Sequence, residues 1–212
     1  MDIVNYLVDI YGYDTPIFLK DVRIGRKSKT AVRELFYRAV KNGDLNRDGP
    51  GVYSIVNKSN ILCNVVTFEK IISAKFIYKS NVPEGFEPLL IEGYYSGLTF
   101  LNMIGMSQQV PAILEVTTNN TSSKKRLYSA LGRIAIIRKG RTEITFQNYK
   151  ILQFLDMFHF VSLDDVKDNK DLLIKYIKKN ELTKIQYKEY ISLYGYRTAK
   201  MISDGELIDA FI

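Results

Sequence analysis

Cysteine and histidine each occur once in 212 residues, and this scarcity excludes most of the chemistry a chain of this length can carry. Cys63 cannot form an intrachain disulfide, and between Leu62 and Asn64 it reads as a buried thiol rather than a nucleophile or metal ligand. His159 sits in Met157-Phe158-His159-Phe160, a setting that fits a packed core histidine and offers no Ser-His pair. A glycine-rich phosphate loop is also lacking, because Gly49-Pro50-Gly51 is too short to cradle a phosphate. Asp164, Asp165, Asp168 and Asp171 resemble a carboxylate cluster until the intervening Lys167, Lys170 and Lys175 are counted, which makes a solvated helix face. The expectation is a chain that is not an enzyme, with no catalytic residue, no cofactor and no metal.

Addressing signals are equally sparse. No basic segment leading into an apolar one opens the chain, so export is not expected, and the Asn-x-Ser/Thr matches at Asn57, Asn119 and Asn120 then carry no meaning. The longest uncharged run lies between Glu92 and Glu115, but Asn102, Gly105, Ser107, Gln108, Gln109 and Pro111 interrupt it, which argues against a membrane span. A cytoplasmic protein without a membrane partner is expected. The polar Asn57 to Asn60 lacks the Pro/Gly richness of a long tether, so it reads as a short linker between a domain at 1–57 and one at 61–212.

What is present in excess is positive charge, and it is concentrated. Lys20 to Arg47 holds nine basic residues and three acidic ones, a net of +6 in a chain whose total is +7. Segregation of this kind implies a polyanionic partner. Within it, Val32, Leu35, Phe36, Ala39 and Val40 fall on one helical stripe, with Ser28 as N-cap and Gly43 past the end. The opposite face carries Thr30, Arg33, Glu34, Tyr37, Arg38 and Lys41, with Lys27 and Lys29 at its amino end. Leu45-Asn46-Arg47, a turn at Asp48-Gly49-Pro50-Gly51 and the β-branched, aromatic Val52 to Val56 predict a hairpin wing. Ahead of this unit, apolar residues at 3, 6, 7 and 10 give a first helix, and Thr15-Pro16 suggests a second through Phe18, Leu19 and Val22. The order of helix, helix, helix, hairpin predicts a winged helix-turn-helix that reads double-stranded DNA through Arg26, Lys27, Ser28, Lys29, Thr30, Arg33, Tyr37 and Arg47.

The remainder predicts a mixed α/β domain with an α-helical C-terminal tail, an α+β chain as a whole. Helices are expected at Thr67 to Tyr78, at Gly93 to Ile104 and around Tyr149 to Phe158, and further helical pieces from Ser162 onward. A strand is expected at Ala112 to Thr118, then a polar loop from Asn119 to Lys125. Ile134 to Ile137 and Glu143 to Phe146 are expected to pair as a hairpin across Arg138 to Arg141.

With these elements laid out, the chain resembles the AbiEi antitoxins of bacterial type IV toxin–antitoxin (abortive-infection, phage-defence) systems. The basic segment Ser28 to Arg33, then Leu35, Val40, Gly43 and Leu45, then Gly51-Val52-Tyr53, is similar to the family's winged helix. Gly97 to Pro111, GLTFLNMIGMSQQVP, is similar to its helix ending in a small-Leu-Gly-Leu step before a Gln-Val-Pro strand entry. The likeness runs from Asp2 to Phe158 and departs at Tyr95, Ser96, Ile104 and Met106. It implies a repressor that binds inverted repeats in its own promoter. It also implies that the second domain counteracts a nucleotidyltransferase-like toxin, without need of a stable complex. Two other readings stay open: a plain winged-helix regulator with an effector or dimerisation domain, and a nuclease guided to DNA by the winged domain.

Overall fold

The computed structural model describes residues 2–58, 66–78 and 90–212, and the chain is of the α+β class with two small sheets. Cys63 and the second half of the expected linker, Ser59-Asn60, lie outside the described residues. The chain divides into two compact units, Met1–Lys75 with Ser129–Arg133, and Phe76–Tyr128 with Ile134–Ile212.

In the first unit, helix α1 (Ile3–Tyr11) is capped by Asp2, whose side chain accepts from Val4 N, and ends at Gly12. Helix α2 (Lys29–Lys41) buries Val32, Phe36 and Ala39, the heart of the stripe the sequence predicts. These meet Leu7, Ile17, Val22, Ile24, Leu45 and Ile55 in one core. Strands β2 (Leu45–Gly49) and β3 (Val52–Ile55) form the expected hairpin.

The second helix expected from Thr15-Pro16 is absent. Ile17–Phe18 is instead a short strand, β1, on the free edge of β3, pairing Ile17 with Tyr53 and Phe18 with Val52, in a sheet of order β1-β3-β2. Ile17 and Phe18 are both buried, whereas a one-turn helix would bury a single stripe and would carry the cost of nucleation for few hydrogen bonds. Turns then lead to α2, braced by Leu19 N on Gly51 O, Asp21 N on Phe18 O and Lys27 N on Ile24 O. The unit closes with helix α3 (Phe68–Ile72), capped by Thr67, and the residues 129–133. Arg133 pairs with Glu69 and stacks over Phe68, while Leu131 N donates to Asp48 O behind the β2–β3 hairpin.

A π-helical turn, Ser73–Ile77, continues the predicted 67–78 helix. In the second unit the sheet order is β4-β5-β7-β6. Strand β5 (Leu114–Thr118) is buried along its whole length, antiparallel to β4 (Gly93–Tyr95) and parallel to β7 (Arg133–Lys139). Gly93 to Tyr95 is therefore strand, not the start of a helix. A Cβ at Gly93 would lie 2.2 Å from Phe76 O and 2.8 Å from Thr117 O, so glycine is there for close strand packing. Helix α4 (Gly97–Met103) begins only after it.

The hairpin is also displaced from its expected place. It runs from β6 (Lys125–Ala130) to β7 through Leu131 and Gly132, both at positive φ, the geometry of a tight two-residue turn. Residues 143–146 form no strand. Asn119 takes the place of a strand partner, donating to Ile144 O at 2.8 Å and accepting from Ile144 N at 2.9 Å. Helix α5 (Tyr149–Met157) runs through the core, followed by α6 (Leu163–Asp168), α7 (Lys170–Lys179), α8 (Lys184–Tyr190) and α9 (Gly195–Asp204), the expected helical tail.

Candidate nucleic-acid interface

Ser28 accepts from Ala31 N at 3.2 Å and fixes where α2 begins. Around that end stand Arg26, Lys27, Lys29, Thr30 and Arg33, all exposed, with Tyr37 one turn further at 64% exposure. Arg47 is exposed on β2, opposite Tyr53 of β3. Seven of the eight predicted residues thus gather on one end and face of α2, and Arg47 stands on the neighbouring hairpin.

The charges there are arranged against the stability of the helix. Its first turn has no acidic residue, while Lys27 and Lys29 sit at the positive end of the helix dipole, where a cation costs a few tenths of a kcal/mol to about 1 kcal/mol. Arg38 is paired with Glu34 at 3.0 Å and Lys58 with Asp44 at 2.6 Å. Among the described residues, Arg26, Lys27, Lys29, Arg33 and Arg47 enter no salt bridge. The cations at the amino end of α2 and on the hairpin thus have no carboxylate partner among the described residues, and they lower the free energy of a bound anion more than that of the free protein.

The hairpin has a buried support. Asp48 is buried, with one carboxylate oxygen lacking a partner among the described residues, and burial raises its pKa although Ser54 hydrogen-bonds it. A Cβ at Gly49 would come within 3.1 Å of Ala130 Cβ, so the strand rests closely on residues 129–133.

Three basic residues join this surface that the sequence did not assign to it. Lys20, Arg23 and Lys75 line a cleft of about 300 Å³ together with Lys29 and Arg33, over an apolar floor that includes Phe18 and Val32 and beside Pro50-Gly51. Lys20 and Arg23 contribute to the charge concentration, which was their only signal. Lys75 lies far along the chain, and nothing in the sequence places it here.

The second unit holds a network of buried polar groups of a different kind. Arg138 Nη2 donates to Glu115 Oε2 at 2.7 Å, and Thr117 Oγ1 to Asp156 Oδ2 at 3.3 Å. Burial lifts Asp156 to about 6, and lifts Tyr194 and Tyr94 well above the ordinary phenol range. His159 is not the packed core histidine the sequence suggests: it is exposed just beyond α5, 2.8 Å from Arg141 Nη2. Partial burial, then Arg141 and Arg197, lower its pKa, so the neutral ring accepts from the guanidinium. The four aspartates from 164 to 171 are exposed, and Asp165 closes a capping box with Ser162. No group of three or more His, Cys, Asp or Glu among the described residues is placed to hold a metal, and no helix among them is long and apolar enough to cross a membrane.

No family model matches the chain, and no curated protein matches it.

Proposed function

We propose that the chain is a cytoplasmic DNA-binding repressor built on a winged helix whose middle helix is replaced by β1 and its turns, acting as the antitoxin of a type IV pair. The observation that carries the DNA reading is the set of unpaired cations at the amino end of α2. They oppose the helix dipole, and they stand next to a hairpin that offers Arg47. Arg26, Lys27, Lys29 and Arg47 contact phosphates of double-stranded DNA, and Thr30, Arg33 and Tyr37 reach base edges of inverted repeats in the chain's own promoter. The protein binds and does not catalyse. Its second unit counteracts a nucleotidyltransferase-like toxin, a role supported by the resemblance of Gly97 to Pro111. DNA titrations over a range of salt test the first part, with log affinity falling by about 0.9 per phosphate neutralised for each log unit of salt. A flat salt dependence overturns it. Growth rescue on induction of a neighbouring nucleotidyltransferase-like gene tests the second.

A further inference from the structure

Two guanidiniums of the second unit are held in place by neutral groups. Arg141 Nη1 donates to Leu193 O at 3.1 Å and Arg141 Nη2 to His159 Nε2 at 2.8 Å, while its Cζ lies 5.0 Å from the centre of the Tyr194 ring. The His159 ring is itself fixed, since its other hydrogen bond goes to the backbone of Asp156 and it meets Tyr194 edge to face. Arg197, in the first turn of α9, donates from Nη2 to Val161 O at 3.3 Å. Carbonyls, an imidazole and a phenol ring thus fix where the two cations stand without neutralising them.

Among the described residues neither guanidinium enters a salt bridge. Asp156 feels the charge of Arg141, but it is 9% exposed and its Oδ2 is bonded by Thr117, so it offsets part of that charge from the interior while Arg141 itself is exposed. Both cations act on the His159 ring and each lowers its pKa, so they stand around one side chain and repel each other. An anion held by both recovers that energy. Helix α9 adds to the preference: it begins without a side-chain cap and with no acid in its first turn, which sets the positive end of its dipole beside Arg197. Arg197 also lines an open groove of about 460 Å³ with Leu163, Tyr196, Lys200, Met201 and Asp204, a volume within the range of small-molecule sites. Tyr196 is 81% exposed, so its ring offers a stacking face next to the cation.

We propose that Arg141 and Arg197 hold the phosphate of a small nucleotide whose base stacks on Tyr196 in the adjoining groove. A tetrahedral phosphate presents several oxygens that two separately braced forks share, whereas a carboxylate presents two oxygens to a single fork. Asp204 repels a phosphate and accepts from an amine or a sugar hydroxyl, so the ligand lies with its phosphate toward Arg141 and its nucleoside toward Asp204. His159 is a positioning residue, because its neutral ring keeps the Arg141 fork in one orientation. The site lies wholly in the second unit and does not rest on the DNA reading.

The test titrates the full chain by calorimetry with adenosine, guanosine, cytidine and uridine monophosphates, with the parent nucleosides and with inorganic phosphate. At least one monophosphate should bind more tightly than both its nucleoside and inorganic phosphate. Arg197→Gln should weaken that monophosphate and inorganic phosphate by about tenfold or more, the worth of one charge-assisted hydrogen bond. Tyr196→Ala, at a side chain too exposed to matter to the fold, should weaken the monophosphate about tenfold through lost stacking and leave inorganic phosphate unchanged. Lys175→Gln, exposed on α7, is the control and changes neither. A wild-type chain that ignores every monophosphate overturns the proposal, as does binding that survives both variants. If inorganic phosphate binds through Arg197 and no monophosphate binds more tightly, the groove takes no base and the nucleotide assignment fails. If Arg197→Gln loses affinity for a random-sequence DNA duplex while no monophosphate binds, the cations meet a nucleic-acid backbone and the proposal falls.

Discussion

Thr117 Oγ1, on β5, donates to Asp156 Oδ2, on α5, at 3.3 Å, and joins sheet to helix through a carboxyl that is 9% exposed. Burial raises that carboxyl to about 6, Arg141, Thr117 and Arg138 pull it down, and Glu115 adds to the rise. The folded chain therefore holds this proton more tightly than the unfolded chain. The stability linked to Asp156 is whole below the ordinary carboxyl value of 3.8 and is lost as pH rises through about 6. Two pK units correspond to roughly 3 kcal/mol at most. Asp156→Asn should match the parent near pH 4 and exceed it in stability above about pH 7. Denaturant midpoints across that range check it. An asparagine variant weaker at neutral pH would mean that attraction to Arg141 and Arg138 outweighs the cost of burial.

Glu115 supports the start of α4. Its Oε2 takes the 2.7 Å bond from Arg138, its Oε1 faces Leu98 N at 3.4 Å, and a Cβ on Gly97, which has φ +56, would sit 2.4 Å from that oxygen. Gly97→Ala should cost more than about 2 kcal/mol from strain and the clash together. Glu115→Gln should cost about 1.5 to 3 kcal/mol by weakening a charge-assisted bond to a largely buried guanidinium. Thermal melts of the two variants, with circular dichroism to establish that the fold persists, test both values.

Ser28 separates stability from binding. Ser28→Ala removes the cap and should lower stability by about 1 kcal/mol. Ser28→Asp keeps a cap and adds a negative charge at the positive end of α2, so it should be neutral or stabilising by about 0.3 to 1 kcal/mol. The same charge stands among Lys27, Lys29 and Arg33, where it should weaken DNA binding. Melts paired with DNA titration read the two effects, and an aspartate variant that binds DNA as well as the parent would remove this end of the helix from the interface.

Features that depend on local pattern were legible in the sequence, and those that depend on a distant partner were not. The stripe of Val32, Phe36 and Ala39 and the N-cap at Ser28 are local, and both stand as expected. Ile17-Phe18 was legible as apolar but not as strand, because its reason for being extended is the open edge of β3, more than thirty residues away. Arg138 to Arg141 carried a turn signal in Gly140, yet the turn formed at Leu131-Gly132, where a leucine accepts φ 50 without any cue in its type. Glu143 to Phe146 had strand composition, and the side chain of Asn119 took the hydrogen bonds a partner strand would have made. For the site, the charge count led to α2 and its neighbours, whereas Lys75 reaches the cleft only through the path of α3.

Arg33 and Arg47 should divide specificity from affinity. Arg33 projects from the first turns of α2, and Arg47 from a strand whose partner residue is Tyr53. Arg33→Ala should cost about 1 to 3 kcal/mol on the promoter repeats and much less on random duplex if it reads a guanine. Arg47→Ala should weaken both DNAs alike and make the salt slope shallower by about 0.9. Equal losses on both DNAs for Arg33 would make it a phosphate contact as well.

The proposed repressor and antitoxin roles should come apart by substitution in the full chain. Residues 129–133 belong to the first compact unit although β6 and β7 extend into the second, so cutting near residue 60 would strip that segment of its neighbours. It would then confuse loss of folding with loss of function. Lys29→Glu with Arg33→Glu avoids this, because both side chains are exposed and neither enters a salt bridge among the described residues. Their reversal should cost well under 1 kcal/mol of stability, and it also places acids at the favourable end of the helix dipole. The expected phenotype is a derepressed promoter reporter with full protection of growth when the nucleotidyltransferase-like toxin is induced, with antitoxin levels set equal from an independent promoter. Protection lost together with repression, in a variant that melts like the parent, would tie both activities to DNA. The second unit would then serve as an effector or dimerisation domain of a plain regulator.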